Sequence, residues 1–351
     1  LPPLRFLIHG PASQGLTPWL AGRNFYGLGG SATIERWSRP DPDADHFKER
    51  RVELMLKEAP VLLSLREFAR AIETLEAATA LTSQLLLQQL HNAALEKLAG
   101  AVDFQSGVAR MAAGRPTDAI PRFRQAVERF QTLFAVHPED KELPVALSYA
   151  YTHLGNAQRI GGLFSDAETS YAQAVPLIVS QLAALPGNPV LHGMLVRVRI
   201  DLGRCLERDG RWPEAAKLYE DLLAESRQVQ AIVPSDPRIE FLRGAAHDRA
   251  ANAQRRLGQC KKAAPNAAQA LTIAEGRLAK EGADKPGLAL ALSAHLTLKD
   301  CAARAHDTAE LKSHQAAAAR LQNQRENDPT ASADSSLEAA LDELLPMPNG
   351  S

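Results

Sequence analysis

Small and apolar residues recur along this chain at long, constant intervals, with polar stretches between them. Gly114, Gly162, Gly210 and Gly258 stand 48 residues apart. Five residues after each glycine comes an alanine: Ala119, Ala167, Ala215 and Ala263. Nine after it come Phe123, Tyr171, Tyr219 and Ala267, and twelve after it Ala126, Ala174, Leu222 and Ala270. Pro138, Pro186 and Pro234 keep the same step. Agreement at so many registers points to tandem copies of one unit, because a module that stacks on its neighbours needs the same side-chain volumes in the same places.

Each copy reads as two antiparallel helices. In the second, 142–160 makes helix A and 165–185 makes helix B. The break falls at Gly161-Gly162, where glycine tolerates the left-handed backbone of a helix C-terminus. Ser165 or Asp166 is the expected N-cap. Pro186, followed by Gly187-Asn188-Pro189, ends helix B, since proline lacks the N–H and clashes with the preceding turn. The helix B alanines lie where a large side chain would hold neighbouring helices apart. The aromatic four residues later shares that face and fills the space between pairs.

A step of 48 back from Ala119, Phe123 and Ala126 lands on Ala71, Leu75 and Ala78, predicting an earlier helix B over 67–89. Forward, the pattern predicts a last pair over 286–305 and 308–325, with Pro329 as its stop. The array is expected over 46–329, its outer copies degenerate because caps have one solvated face. Residues 1–45 read as an irregular N-terminal segment or the remnant of an upstream domain, with a candidate strand at 5–8. Residues 330–351 read as a flexible tail with a short acidic helix at 337–345.

Two stretches carry a family pattern: Leu154-Gly155…Gly162…Ala167…Tyr171…Ala174 and Leu202-Gly203…Gly210-Arg-Trp-Pro-Glu-Ala215…Tyr219. Leu-Gly in helix A, then glycine, alanine, aromatic and alanine, resembles the tetratricopeptide repeat (TPR) family. The usual repeat is about 34 residues; the 48-residue step fits a variant whose helices are each longer by about two turns. The first copy has Ser106-Gly107 in place of Leu-Gly, and the fourth has Ala250-Ala251 and no aromatic. The resemblance implies an all-α, right-handed α–α superhelix, a TPR-like solenoid of five to six antiparallel helix pairs. It also implies a non-catalytic scaffold that binds a protein or peptide in a concave groove lined by helices A.

Composition narrows the chemistry. A net charge of −1 argues against blanket binding of nucleic acid or anionic membrane, and aromatics at 5% offer few platforms for stacking RNA bases. No apolar run approaches the roughly 18–20 residues that span a bilayer. Cys205, Cys260 and Cys301 are too few and too scattered for a disulfide framework or a zinc site, and read as small packed side chains. Gly27–Gly30 lacks a dinucleotide or phosphate-loop fingerprint and reads as a turn. His153, His247 and His295 form no metal-binding spacing, and the adjacent acids Glu139-Asp140 and Glu220-Asp221 point different ways on a helix. The expectation is no catalytic site, no cofactor, no metal and no small-molecule substrate, in a cytoplasmic protein.

The A helices carry the candidate binding residues. Superposing copies puts Asn156 and Asn252 in one slot with Arg204 between them, Arg159 and Arg255 in a second, and Arg208 and Arg256 in a third; Arg197 and Arg249 lie a turn or two upstream. Guanidinium forks suit carboxylates, and an Asn amide can hold a peptide main chain. In some members of the family it resembles, such residues clamp a partner's terminal carboxylate, although the lysines usual there are absent. A plain polar stripe on long amphipathic helices accounts for the same residues. Residues 197–262 hold 14 Lys plus Arg against 10 Asp plus Glu, with Asp201, Glu207 and Asp248 at hand as partners. The acidic tail reads as a cap on the last repeat, a docking motif for another protein, or a self-inhibitory segment. A second function class stays open: a sensory or substrate-recruiting module of a larger bacterial signalling enzyme whose catalytic domain lies upstream.

Overall fold

The computed structural model describes residues 45–232, 236–281 and 284–326, and among them there are twelve α-helices and no strand. They are α1 (Asp45–Ser64), α2 (Phe68–Gln88), α3 (Ala93–Ala112), α4 (Pro116–Val136), α5 (Glu142–Ile160) and α6 (Phe164–Ala184). The series continues with α7 (Pro189–Arg208), α8 (Trp212–Ile232), α9 (Pro237–Arg256), α10 (Cys260–Glu281), α11 (Lys285–Arg304) and α12 (Thr308–Glu326). The described residues divide into two compact units, 45–143 and 144–326. In the first, α1 packs on α2, α2 on α3, α3 on α4, and α1 also reaches α3. In the second, α6 to α12 pack in sequence, while the odd-numbered helices α7, α9 and α11 also touch one another. Odd helices are therefore the A helices of the repeat and even ones the B helices. The candidate strand at 5–8, the Gly27–Gly30 turn, Pro329 and the acidic tail helix lie outside the described residues.

Two local devices set this spacing. The B helices start at Phe68, Pro116, Phe164, Trp212, Cys260 and Thr308, each 48 residues after the last. Two residues before each start the backbone is left-handed: Arg66 (φ 59), Gly114 (72), Gly162 (81), Gly210 (73), Gly258 (75) and His306 (58). At Gly162 this closes a reversed turn in which Leu163 N–H donates to Gln158 O at 2.8 Å. In the outer copies Arg66 and His306 hold the same backbone despite carrying a Cβ, which costs about 1–2 kcal/mol at each. The second device opens the A helices. Asn92, Asp140, Asn188, Asp236 and Asp284, again 48 apart, each accept from the backbone N–H of a residue two or three further on. Proline at Pro189 and Pro237 then occupies the first helical position, where no N–H is needed.

The expected cap of helix α6 is a correction. Its N-cap is Leu163, with no side-chain hydrogen bond, and neither Ser165 nor Asp166 caps it. The left-handed turn runs straight into Phe164, so both polar residues fall inside the first turn. There the Asp166 charge complements the helix dipole instead.

The A and B helices of a pair meet glycine against ring. A Cβ added at Gly107 would lie 2.6 Å from the Phe123 ring, and one at Gly155 would lie 2.7 Å from the Tyr171 ring. Gly203 sits equally close under Tyr219. The three rings are fully buried. In the fourth copy the same register holds Ala251 and Ala267, both fully buried. A methyl on helix A replaces the hydrogen where the ring on helix B is gone, so the volume is exchanged across the contact.

Gly155→Ala is therefore expected to destabilise the chain by about 1–3 kcal/mol. The same exchange at Gly187, which has open space around it, should change stability by no more than about 0.5 kcal/mol. Urea unfolding followed by circular dichroism checks the difference.

Candidate functional site: the charged interior of the A helices

The A helices of the second unit bury an unusual number of charges. Asp201 of α7 is fully buried and takes a hydrogen bond from Arg197 Nε at 2.6 Å and another from Arg204 Nη1 at 2.8 Å, one turn to either side. From α5, Arg159 Nε approaches the same carboxylate at 3.5 Å. Burial opposes ionisation of Asp201, but Arg197, Arg159 and Arg204 outweigh it and hold the carboxyl well below its usual range. Beside them Asn156 is fully buried, its Oδ1 accepting from the Tyr171 hydroxyl at 2.7 Å and its Nδ2 without a hydrogen-bond partner. Burial, with the nearby Asp201 charge, pushes the Tyr171 phenol far up, so it stays a donor.

One copy further on, the same register is used with the charges exchanged. Glu207 occupies the position of Arg159, and Arg249 that of Asp201. Arg249 Nη1 donates to Glu207 Oε2 at 3.3 Å, and Tyr219 donates its hydroxyl to Glu207 Oε1 at 2.8 Å. The A helices are thus tied by an ion pair spanning 42 residues in both steps, Arg159 to Asp201 and Glu207 to Arg249. Arg255 of α9 continues the series, donating to Asp300 of α11 at 2.9 Å and to Asn252 Oδ1 at 2.8 Å. Asp248, almost fully buried, accepts from Ser293 Oγ at 2.9 Å. Burial raises it first and Glu207 adds to that, while Arg249, the Ser293 hydrogen bond and Arg255 oppose; the carboxyl is pushed up to about 6.

The nine residues expected to line a groove fall into two sets. Asn156, Arg159, Arg197, Arg204 and Arg249 are buried, 7% exposed at most. Asn252 and Arg255 are half-buried, and Arg208 and Arg256 are exposed. Arg208 and Arg256 each meet an aromatic ring. Their guanidinium carbons lie over the rings of Phe164 (5.8 Å) and Trp212 (5.4 Å), the first residue of the preceding B helix in each case. Asp201 meets Arg197 and Arg204 of its own helix as foreseen, whereas Glu207 takes Arg249 from the next A helix and Asp248 bonds to Ser293. His153 is buried, His247 Nδ1 lies 3.0 Å from Asn266 Oδ1, and His295 Nδ1 lies 3.1 Å from His314 Nδ1. Sequence reasoning missed that Cys260 lies near Cys301, whose thiol it helps to raise. The 48-residue register could have found it, because 260 and 301 are the positions of Trp212 and Ala253 one copy earlier. Among the described residues no group of three or more His, Cys, Asp or Glu could hold a metal ion, and no helix is long and apolar enough to cross a membrane.

This geometry, an array of helix pairs with its charges on the A side, meets known proteins in one place. Two family models described as tetratricopeptide repeat match residues 104–189 and 200–231. Those residues are similar to tetratricopeptide repeats. Solved structures agree on the fold. BtubC (BKLC) from P. vanneervenii is 16% identical, with 76% of this chain and 96% of that one covered and a TM-score of 0.53. The apo form of the quorum sensor NprR from B. thuringiensis is 12% identical, with 84% and 70% covered and a TM-score of 0.54. Nearly identical TPR-like repeats from Podosopora anserina are 20% identical, with 66% and 98% covered and a TM-score of 0.50. No curated protein matches the chain in sequence. The fold is of the all-α, superhelical repeat class.

Two substitutions in the charged interior of these repeats should act in opposite directions. Asp201→Asn leaves three buried guanidinium groups without their shared carboxylate and is expected to cost about 3–5 kcal/mol at pH 7. The folded-state pKa of Asp201 is depressed, so its contribution is present above the ordinary value of 3.8 and fades as pH falls through the folded value. Asp248 is raised from 3.8 to about 6, so its contribution is complete below about 4 and is lost as pH rises through 6. Asp248→Asn should therefore gain about 1–3 kcal/mol at pH 8 and nothing at pH 4. Denaturant midpoints of Asp248→Asn between about pH 4 and 8, and of Asp201→Asn between about pH 2 and 7, give the two slopes.

Proposed function

We propose that this chain is a non-catalytic scaffold acting in the cytoplasm. It holds a protein or peptide partner by that partner's acidic groups, along the A-helix side of the second unit. The observation that carries the reading is the row of solvent-reaching polar side chains, Asn252, Arg255, Arg208 and Arg256, beside a floor in which Arg159, Arg197 and Arg204 gather on Asp201. Asn252, Arg255, Arg208 and Arg256 reach solvent and are the contact residues in this reading. Asn156, Arg159, Arg197, Arg204 and Arg249 form the floor beneath, fixed by their ion pairs and by the Tyr171 and Tyr219 hydroxyls. A surface ordered in advance loses little entropy when a partner docks. The reading takes the repeat to be a long-helix form of TPR with a 48-residue period, running over 46–329 with 1–45 and 330–351 as appendages.

A second reading follows the neighbour described as a quorum sensor. In it the array is a sensory or substrate-recruiting module of a larger signalling enzyme, and a catalytic domain encoded upstream in the same reading frame is its signature.

The test of the first reading is the affinity of the full chain for a fluorescein-labelled acidic peptide, measured by anisotropy. Arg255→Ala with Arg256→Ala removes one half-buried and one exposed cation without opening the floor. The double variant should bind at least about tenfold more weakly, as the loss of charge-assisted hydrogen bonds requires. Binding of the natural sequence should weaken as salt rises from about 0.05 to 0.5 M. Affinity indifferent to both changes would falsify the acidic-partner reading.

A further inference from the structure

In three consecutive copies of the second unit, one register holds the first residue of a B helix and two residues near the end of the next A helix. The sets are Phe164, Cys205 and Arg208; Trp212, Ala253 and Arg256; and Cys260, Cys301 and Arg304. In the first two, the arginine lies over the ring. In the third the ring is replaced by a thiol, and the small residue of the next A helix is a thiol as well.

The contact is tight. Helices α10 and α11 are consecutive and packed together, so the start of one lies beside the end of the other. Arg304 Nη1 donates to Arg255 O at 3.2 Å and lies 3.9 Å from the position of a Cβ on Gly258, which pins the end of α11 against the turn leading into Cys260. Cys301 lies three residues before Arg304 on the same helical face, close enough to Cys260 for that thiol to raise the pKa of its own. Cys301 is buried and Cys260 half-buried, and both are free thiols.

We propose that Cys260 and Cys301 form a reversible disulfide, a redox modification site that fastens the fourth helix pair to the fifth. A hydroperoxide is the oxidant class. Cys260, the more accessible thiol, attacks the peroxide as its thiolate; the O–O bond breaks, hydroxide leaves, and Cys260 becomes a sulfenic acid. The Cys301 sulfur then attacks the Cys260 sulfur, the S–S bond forms, and the sulfenic oxygen departs as water with the Cys301 proton. Two thiols and one hydrogen peroxide give one disulfide and two waters. Burial and the neighbouring Cys260 push the Cys301 thiol up to about 12, which suits it to the resolving role and leaves the first attack to Cys260. Cys205, buried, and likewise pushed up to about 12 by burial, stays reduced.

The full chain treated with stoichiometric hydrogen peroxide, then denatured and alkylated, supplies the test. Of its three thiols one should remain reactive, with an intact mass lower by two hydrogens and a linked peptide joining Cys260 to Cys301. The oxidised chain should melt several degrees higher, and dithiothreitol should reverse both changes. Cys260→Ser and Cys301→Ser should each abolish the link, and the former, at a half-buried site, keeps the test open if the latter folds poorly. Three reactive thiols after treatment, oxygen retained on Cys260 without a link, or a link between two chains would each overturn the proposal.

Discussion

The repeat depends on how closely an A helix can approach its B helix. Where the A helix presents a bare Cα, at Gly107, Gly155 and Gly203, the B helix sets a whole ring upon it, and nothing larger than hydrogen fits between. The contact fixes both the distance between the helices and their axial register, because the ring can sit over only one residue. The fourth copy satisfies the same constraint by a different division of volume, Ala251 facing Ala267. Close packing tolerates such an exchange when the sum is kept. The turns and caps then need only deliver each helix to that contact, which they do with one left-handed residue before every B helix and one Asx cap before the A helices that follow.

Helix pairs held this way still have to be joined to one another along the A side, and there the second unit uses buried charge. Arg159 with Asp201 and Glu207 with Arg249 occupy one register with opposite polarity. Inverting both partners preserves the attraction between neighbours while forbidding a slip by one copy, which would set Arg159 against Arg249 and Asp201 against Glu207. Buried ion pairs contribute little net stability but penalise wrong pairings heavily. The hydroxyls of Tyr171 and Tyr219 extend the same rings that pack on glycine into this network, so the apolar and polar parts of the interior share two side chains.

In the proposed reading the binding surface divides into a floor and a rim. The floor is rigid because its arginines are engaged from several sides; the rim residues Arg255 and Arg256 are held by one or two contacts each, to Asp300, Asn252 and the Trp212 ring. In that reading the residues that meet a partner are those the frame needs least. Cys260 and Cys301 stand at the register where two other copies place an arginine over a ring.

The helices and their boundaries were legible from spacing alone. Volume at fixed intervals is written directly in residue type, so α5 and the B helices fall where Gly162, Ala167 and Tyr171 and their equivalents place them, with α6 starting one residue early. The Asx caps at 92, 140, 188, 236 and 284 were equally present in the chain and were passed over, since single capping residues stand out only once helix starts are known. Burial was not legible. Arg159, Arg197 and Arg204 look like a solvated stripe until Asp201 is seen to gather them, because a charge reveals its surroundings only through the residues packed around it. The same holds for Cys260 and Cys301, 41 residues apart, whose meeting depends on two helices lying side by side. Residue type and interval determined the module; which polar atoms left water, and which thiols touched, was decided only when the modules stacked, since those are properties of neighbours distant along the chain.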